Sequence, residues 1–195
     1  MSRILSALAL LPVLACTSSL PTQDQKASVN VTVPPEDARD LSRVYALIDE
    51  GKLVIAEMRL KELREGVGSD VTRTLVDMCL AEIHFRRKDN GQAMAIASRY
   101  FNCPYDEVAA DAHFLAGKIE LQAWRLDVAH REFEAARKSA RQGGLNLREE
   151  RCKEYLRFVD ALVMFDSGNY NEAREALKSL SDPELKKVGD ALFGH

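Results

Sequence analysis

Residues 161–177 read ALVMFDSGNYNEAREAL, and this run decides the fold. Ser167-Gly168-Asn169 is a turn signal between two stretches whose apolar residues recur every three or four positions, as on one face of a helix. Ala161 and Ala173 lie twelve positions apart across that turn. Small residues at such a spacing let two helices joined by a short turn approach closely, while larger neighbours fill the gaps beside them.

The same spacing recurs upstream. Gly117 pairs with Ala129, Ala81 with Ala93 and, less clearly, Val44 with Ala56. The steps between these pairs are 37, 36 and 44 residues, which implies one repeated unit. No alternating segment of useful length reads as a strand, and no hairpin signal of the β type is present. The units resemble tetratricopeptide repeats, two antiparallel helices in about 34 residues. The third matches best through Gly117, Ala129, Phe133 and Ala136, and the fourth supplies Gly168, Tyr170, Ala173 and Leu177. The first supplies Gly51, Leu53, Ala56, Leu60 and Leu63, and the second is degenerate, with Ala97 where a bulky residue is usual. That family's early Trp is missing from every unit. Gly143-Gly144 and the run after it read as a longer loop and an extended helix. The resemblance covers about residues 40–187 and implies an all-α, tetratricopeptide-like α-solenoid of about four antiparallel helix pairs, with Leu185–Phe193 as a short closing helix.

Before the repeats lies an address. Arg3 gives a positive start, and Ile4–Leu14 is an apolar run broken only by Ser6 and Pro12. It falls short of the roughly 20 residues a spanning helix needs, and has the length of a secretory signal's hydrophobic region. Val13-Leu14-Ala15-Cys16 resembles the lipobox of bacterial lipoproteins, although Leu14 is larger than the usual residue there. The resemblance implies a signal peptide over 1–15, cleavage before Cys16 and lipidation of its thiol. Thr17, where Asp often causes inner-membrane retention, implies the outer membrane, with the domain in the periplasm. Residues 16–35, rich in Ser, Thr, Gln and Pro, read as a flexible tether, and 36–195 as the helical-repeat domain.

The mature part carries little visible chemistry. Of 195 residues, 46% are hydrophobic and 29% charged, with a net charge of −3, a balance that excludes a disordered chain. Nucleic acid is not an expected partner, because phosphate binding needs clustered Lys and Arg. His84, His113, His130 and His195 have no ligand-like spacing, and there is no CxxC or HExxH, so no metal is expected. His113 and His130 could meet across a hairpin. No GxSxG or phosphate-binding glycine motif occurs, and neither a cofactor nor an enzymatic activity is expected. Cys79 and Cys103, about equally far from a turn near residues 88–90, could form a disulfide or be buried thiols; Cys152 is left over.

The first helix of each unit would line a concave face. Phe85, Phe114, Lys118, Tyr155, Phe158 and Phe165 are the candidates for a partner-binding groove there; Phe158 and Phe165 fit a core equally well. Trp124, at an inter-helix turn, reads as packing or as an interaction hot spot. The expected function is a non-enzymatic scaffold, held to the membrane by its lipid, that binds proteins through the repeat surface. Resemblance to tetratricopeptide lipoproteins of β-barrel assembly and to pilotins implies help in assembling outer-membrane or pilus-secretin complexes. The alternative is a periplasmic regulator of peptidoglycan synthesis or hydrolysis.

Overall fold

The computed structural model describes residues 33–66 and 68–193; the proposed signal, the lipidated Cys16 and nearly all of the tether lie outside them. The described residues form nine α-helices and one 3-10 turn, with no strand. The helices are α1 (Pro35–Asp49), α2 (Leu53–Gly66), α3 (Asp70–Arg86), α4 (Asn90–Ala97), α5 (Asp106–Gln122), α6 (Leu126–Gln142), α7 (Asn146–Asp166), α8 (Tyr170–Lys178) and α9 (Pro183–Phe193). The described residues are therefore all-α, as expected. Pro35 occupies the first turn of α1, where a missing N–H costs nothing.

Five inter-helix turns share one geometry. At the turn after α7, the Gly168 N–H donates to the Phe165 carbonyl at 3.1 Å and the Asn169 N–H to the Met164 carbonyl at 2.9 Å. Gly168 sits at φ +84 between them. The pattern caps the orphan carbonyls of the helix end and needs one residue in the left-handed region. It recurs at Gly51, Lys88, Trp124 and Gly144, with φ of 74, 67, 58 and 67 respectively. Gly51, Lys88, Trp124 and Gly168 each lie seven residues after the first member of a small-residue pair. The step of the sequence pattern is thus the step of the turn.

The paired positions sit where the helices cross. Val44, Ala56, Ala81, Ala93, Ala129, Ala161 and Ala173 are all buried, and so is Gly117. Gly117 shows why size matters. A Cβ there would lie 2.6 Å from Cε1 of the fully buried Phe133. Phe133 also contacts Phe114 and Tyr155, with ring centroids 5.4 and 5.0 Å away.

Gly143 and Gly144 do not open a longer loop. Gly144 supplies the positive φ, and a Cβ on Gly143 would come within 2.9 Å of the Asp106 Cβ on α5. The extra residues lengthen α7 instead, to 21 residues. The degenerate second unit has a short second helix: α4 spans 8 residues and gives way to the 3-10 turn Ser98–Tyr100. Tyr100, whose hydroxyl donates to Asp77 at 2.6 Å, ties that turn back to α3.

Each helix packs on its chain neighbours, and α1, α3, α5 and α7 also touch in succession. An amino-terminal core includes Leu41, Ile48, Leu60, Ile83 and Leu115; a carboxy-terminal core includes Phe133, Phe158, Leu162, Leu185 and Val188. Both draw on α5, so this helix is buried nearly all round. α9 begins two residues before the expected closing helix and presses Leu185 and Val188 into the second core.

Gly117→Ala is expected to destabilise the chain by about 1–3 kcal/mol through overpacking against Phe133. Gly91→Ala, whose Cβ would meet nothing closer than 4.0 Å, is expected to be neutral or to stabilise by up to about 1 kcal/mol. Urea unfolding followed by circular dichroism compares the two, and equal effects would refute the close-approach explanation.

Candidate interaction site

The first helices carry a ladder of charged groups at intervals close to the repeat. Asp37 on α1 accepts a hydrogen bond from the buried Thr72 hydroxyl on α3 at 2.9 Å. Near the other end of α1, Arg86 of α3 reaches back to the Ile48 carbonyl at 2.7 Å and to Asp49 at 3.3 Å. Glu82 then links α3 to α5: it pairs with Lys118 at 3.1 Å and with Arg86 at 3.2 Å. On α7, Arg148 pairs with Glu107 at 2.6 Å and Asp111 at 2.9 Å, both from α5. Apart from Glu82–Arg86, which lies within α3, these contacts span 35 to 41 residues of sequence, so each joins one first helix to the next.

Burial sets the energetics. Lys118 is only 6% exposed and Glu82 9%. A lone charge so placed would cost several kcal/mol, and the pair offsets this only because both ends are satisfied. Lys118 also lies over the Phe85 ring, 4.6 Å from its centroid, and 5.9 Å from that of Phe114. Arg151 covers the Phe114 ring from α7 at 4.9 Å. Cation and ring thus alternate along the seam of α3, α5 and α7. Burial pushes the Glu107 carboxyl above its ordinary range, with Arg148 pulling the other way.

The candidate groove residues are therefore brought together, but not as an open floor. Phe85, Phe114, Lys118 and Tyr155 are buried where successive first helices meet. Phe158 is fully buried in the carboxy-terminal core, which decides for core between its two readings. Phe165 stands apart and half-buried, edge-on to Tyr170 and Phe193 at 5.2 and 5.4 Å. Beside the seam, Tyr45, Met78, Glu82, Asp111 and Lys118 help to line a cleft of about 40 Å³. That is room for about one water molecule, not for a peptide.

Trp124 packs on the carboxy-terminal core, partly buried, while holding the left-handed turn position. His113 and His130 do not meet. His113 stacks on Phe101 at 4.3 Å and bonds Glu132 at 2.8 Å, whereas His130 faces Asp160 at 3.5 Å. Among the described residues, no three His, Cys, Asp or Glu side chains are grouped to hold a metal. No described helix is long and apolar enough to cross a membrane.

Cys79 and Cys103 both pack in the amino-terminal core and are present as thiols; Cys79 is buried and Cys103 half-buried. Burial pushes the Cys152 thiol up to about 12, so it stays protonated and unreactive at neutral pH. A wider opening lies elsewhere. It is a groove of about 820 Å³ between α1 and α2 that includes none of the candidate groove residues. Ile55, 49% exposed, lines it beside Leu47 and Leu63.

Glu82→Gln is expected to cost about 2–3 kcal/mol by leaving Lys118 buried without its counter-charge, and Glu82→Met with Lys118→Met to recover most of that. Denaturant melts of the three variants test this. With a maleimide reagent under native conditions, Cys103 is expected to react first, and Cys79 and Cys152 only on unfolding. A Cys79–Cys103 disulfide would instead make both inert until reduced, which peptide mass mapping reads directly.

Compared with known protein families, curated proteins and solved structures, the chain matches none.

Proposed function

We propose that this protein is a non-enzymatic, lipid-anchored scaffold of tetratricopeptide-like repeats that binds proteins on the periplasmic side of the outer membrane. The observation that carries the reading is the repeated turn: one hydrogen-bond pattern at Gly51, Lys88, Trp124 and Gly168, each in the same register with a small-residue pair. A chain built this way is a row of similar surfaces held rigidly side by side. Rigidity of that kind suits recognition, because little conformational freedom is lost when a partner docks. The partly buried ladder from Asp37 to Arg148 supports it by fixing one first helix against the next. The anchor rests on Val13-Leu14-Ala15-Cys16. Two or more acyl chains on Cys16 would hold the domain firmly, each buried CH₂ contributing about 0.8 kcal/mol. The proposed pathway is assembly of outer-membrane or pilus-secretin complexes.

Cys16→Ser is expected to leave the helical signal and the melting temperature of the domain unchanged while moving the protein from the membrane to the soluble fraction. A mutant that stayed membrane-bound would refute the lipid anchor. Crosslinking in intact cells, followed by purification from membranes, is expected to recover barrel-assembly or secretin components. Recovery of cell-wall enzymes alone would redirect the pathway, and recovery of no protein would count against a scaffold.

A further inference from the structure

We infer that the edge of the domain formed by its hairpin turns rests on the lipid surface, against zwitterionic headgroups. This builds on the proposed anchor at Cys16 and says which side of the domain that anchor brings to the bilayer.

The ladder orients the helices. Near the start of α1, Asp37 bonds Thr72 near the start of α3; near its end, the Ile48 carbonyl accepts from Arg86 at the end of α3. Arg148 pairs with Glu107, again start with start, on α7 and α5. First helices therefore run parallel, and the turns at Gly51, Lys88, Trp124 and Gly168 lie along one edge. The start of α1, where the anchored segment joins, lies on the opposite edge.

Apolar exposure is concentrated at the turn edge. Six large hydrophobic side chains are exposed among the described residues, and five belong to it. Val54, Ile55 and Met58 lie in the first two turns of α2, Val163 in the last turn of α7, and Tyr170 at the start of α8. Only Leu147, near the start of α7, sits on the opposite edge. Phe165 and Phe193, half-buried, extend the patch around Tyr170. Single exposed apolar residues are ordinary on a protein surface, so it is their placement that requires a cause.

A protein partner is ordinarily held by one compact hot spot in a pocket. Here the apolar side chains form two patches, on the first hairpin and the last, with the half-buried Trp124 at a turn between them. A bilayer is broad enough to meet both at once, and Trp and Tyr rings settle at the level of lipid headgroups. Charge selects the kind of bilayer. Lys52, Arg87 and Arg125 on this edge are paired with Glu50, Glu57 and Glu120. No basic cluster is left over to draw anionic lipid, and the exposed Asp166, Glu172 and Asp190 would repel it.

The tether has the matching length. The domain is about as tall as α1, whose 15 residues make about 22 Å of helix. The 18 residues between Cys16 and Pro35, read as a flexible chain, have an end-to-end distance of about 23 Å. A linker whose ordinary length equals the span to be covered gives the highest local concentration, so a weak contact of this edge with lipid is strongly favoured once the anchor is in place.

The test uses the lipidated full chain on phosphatidylcholine vesicles, where flotation reads the anchor and photocrosslinking reads the edge. A benzophenone amino acid in place of Tyr170 is expected to give lipid adducts in at least fivefold greater yield than one in place of Leu147. Val54→Ser with Met58→Ser, both exposed so that folding is spared, is expected to lower the yield at position 170 at least twofold. Replacing half of the phosphatidylcholine by phosphatidylglycerol is expected to lower it too. Brominated phosphatidylcholine is expected to quench the fluorescence of Trp124, the only Trp of the chain. Equal adduct yields at the two positions, a greater yield at Leu147, or adducts with protein alone would overturn the inference. A yield that rose with phosphatidylglycerol would overturn the choice of zwitterionic headgroups. Any of these results with a chain that floats would sink this edge while sparing the anchor, whereas a chain that does not float would overturn both.

Discussion

The fold depends on how closely two helices can cross when each pair is joined by a turn of three residues. At Gly117 the α5 backbone lies against the Phe133 ring with no room for a methyl group. The ring fills the space a side chain would have taken, and Phe114 and Tyr155 pack on it in turn. Everything beyond that contact follows from its repetition. Small residues at Ala81 and Ala93, and at Ala161 and Ala173, set the same crossing in other pairs. The left-handed turn residue sets the angle at which the second helix returns. Where that residue is Gly51 or Gly168 the conformation is free of strain; at Lys88 and Trp124 it costs about 1–2 kcal/mol, which neighbouring packing must outweigh.

Between pairs, the glue is of another kind. Apolar side chains are non-directional and would tolerate a slip of one helix along the next. Glu82, flanked by Lys118 and Arg86, tolerates none, since a one-residue shift would strand a buried charge. The aromatic rings of Phe85 and Phe114 around Lys118 add to this, because a cation lies over a ring face only in one register. Crossing distance is thus governed by small residues and alignment by charge.

Much of this was readable in the residues. The twelve-residue spacing located four hairpins, and the structure puts the same turn at the same place in each. Gly143-Gly144 misled because glycine in a sequence does not say whether it serves a loop or a close approach. Here Gly143 makes room for Asp106 and Gly144 closes a tight turn. The groove residues misled for a different reason. Helical periodicity tells which residues share a face, but not whether a neighbour 36 residues away covers it. Phe85, Phe114 and Tyr155 share a face, and the next first helix covers it. The buried partnership of Glu82 with Lys118 was equally out of reach, since two charged residues at that separation look like solvated surface. Ile55 could have been found: it lies outside the stripe of Ala56 and Leu60 on α2, where a surface residue would be polar.

The position of α5 between two cores has a consequence for how the molecule comes apart. Contacts run almost wholly between helices adjacent or next-but-one in the chain, so stability is a sum of local terms, and opening proceeds from the ends. Among the described residues, α1 and α2 are held from one side only; α5 is held by α3 and α4 on one side and by α6 and α7 on the other. Thermal fluctuation therefore frays the first hairpin long before it reaches the middle helix, and the backbone amides of α5 are the last to exchange with water. The chain has a gradient of permanence, lowest at its two ends and highest at its centre.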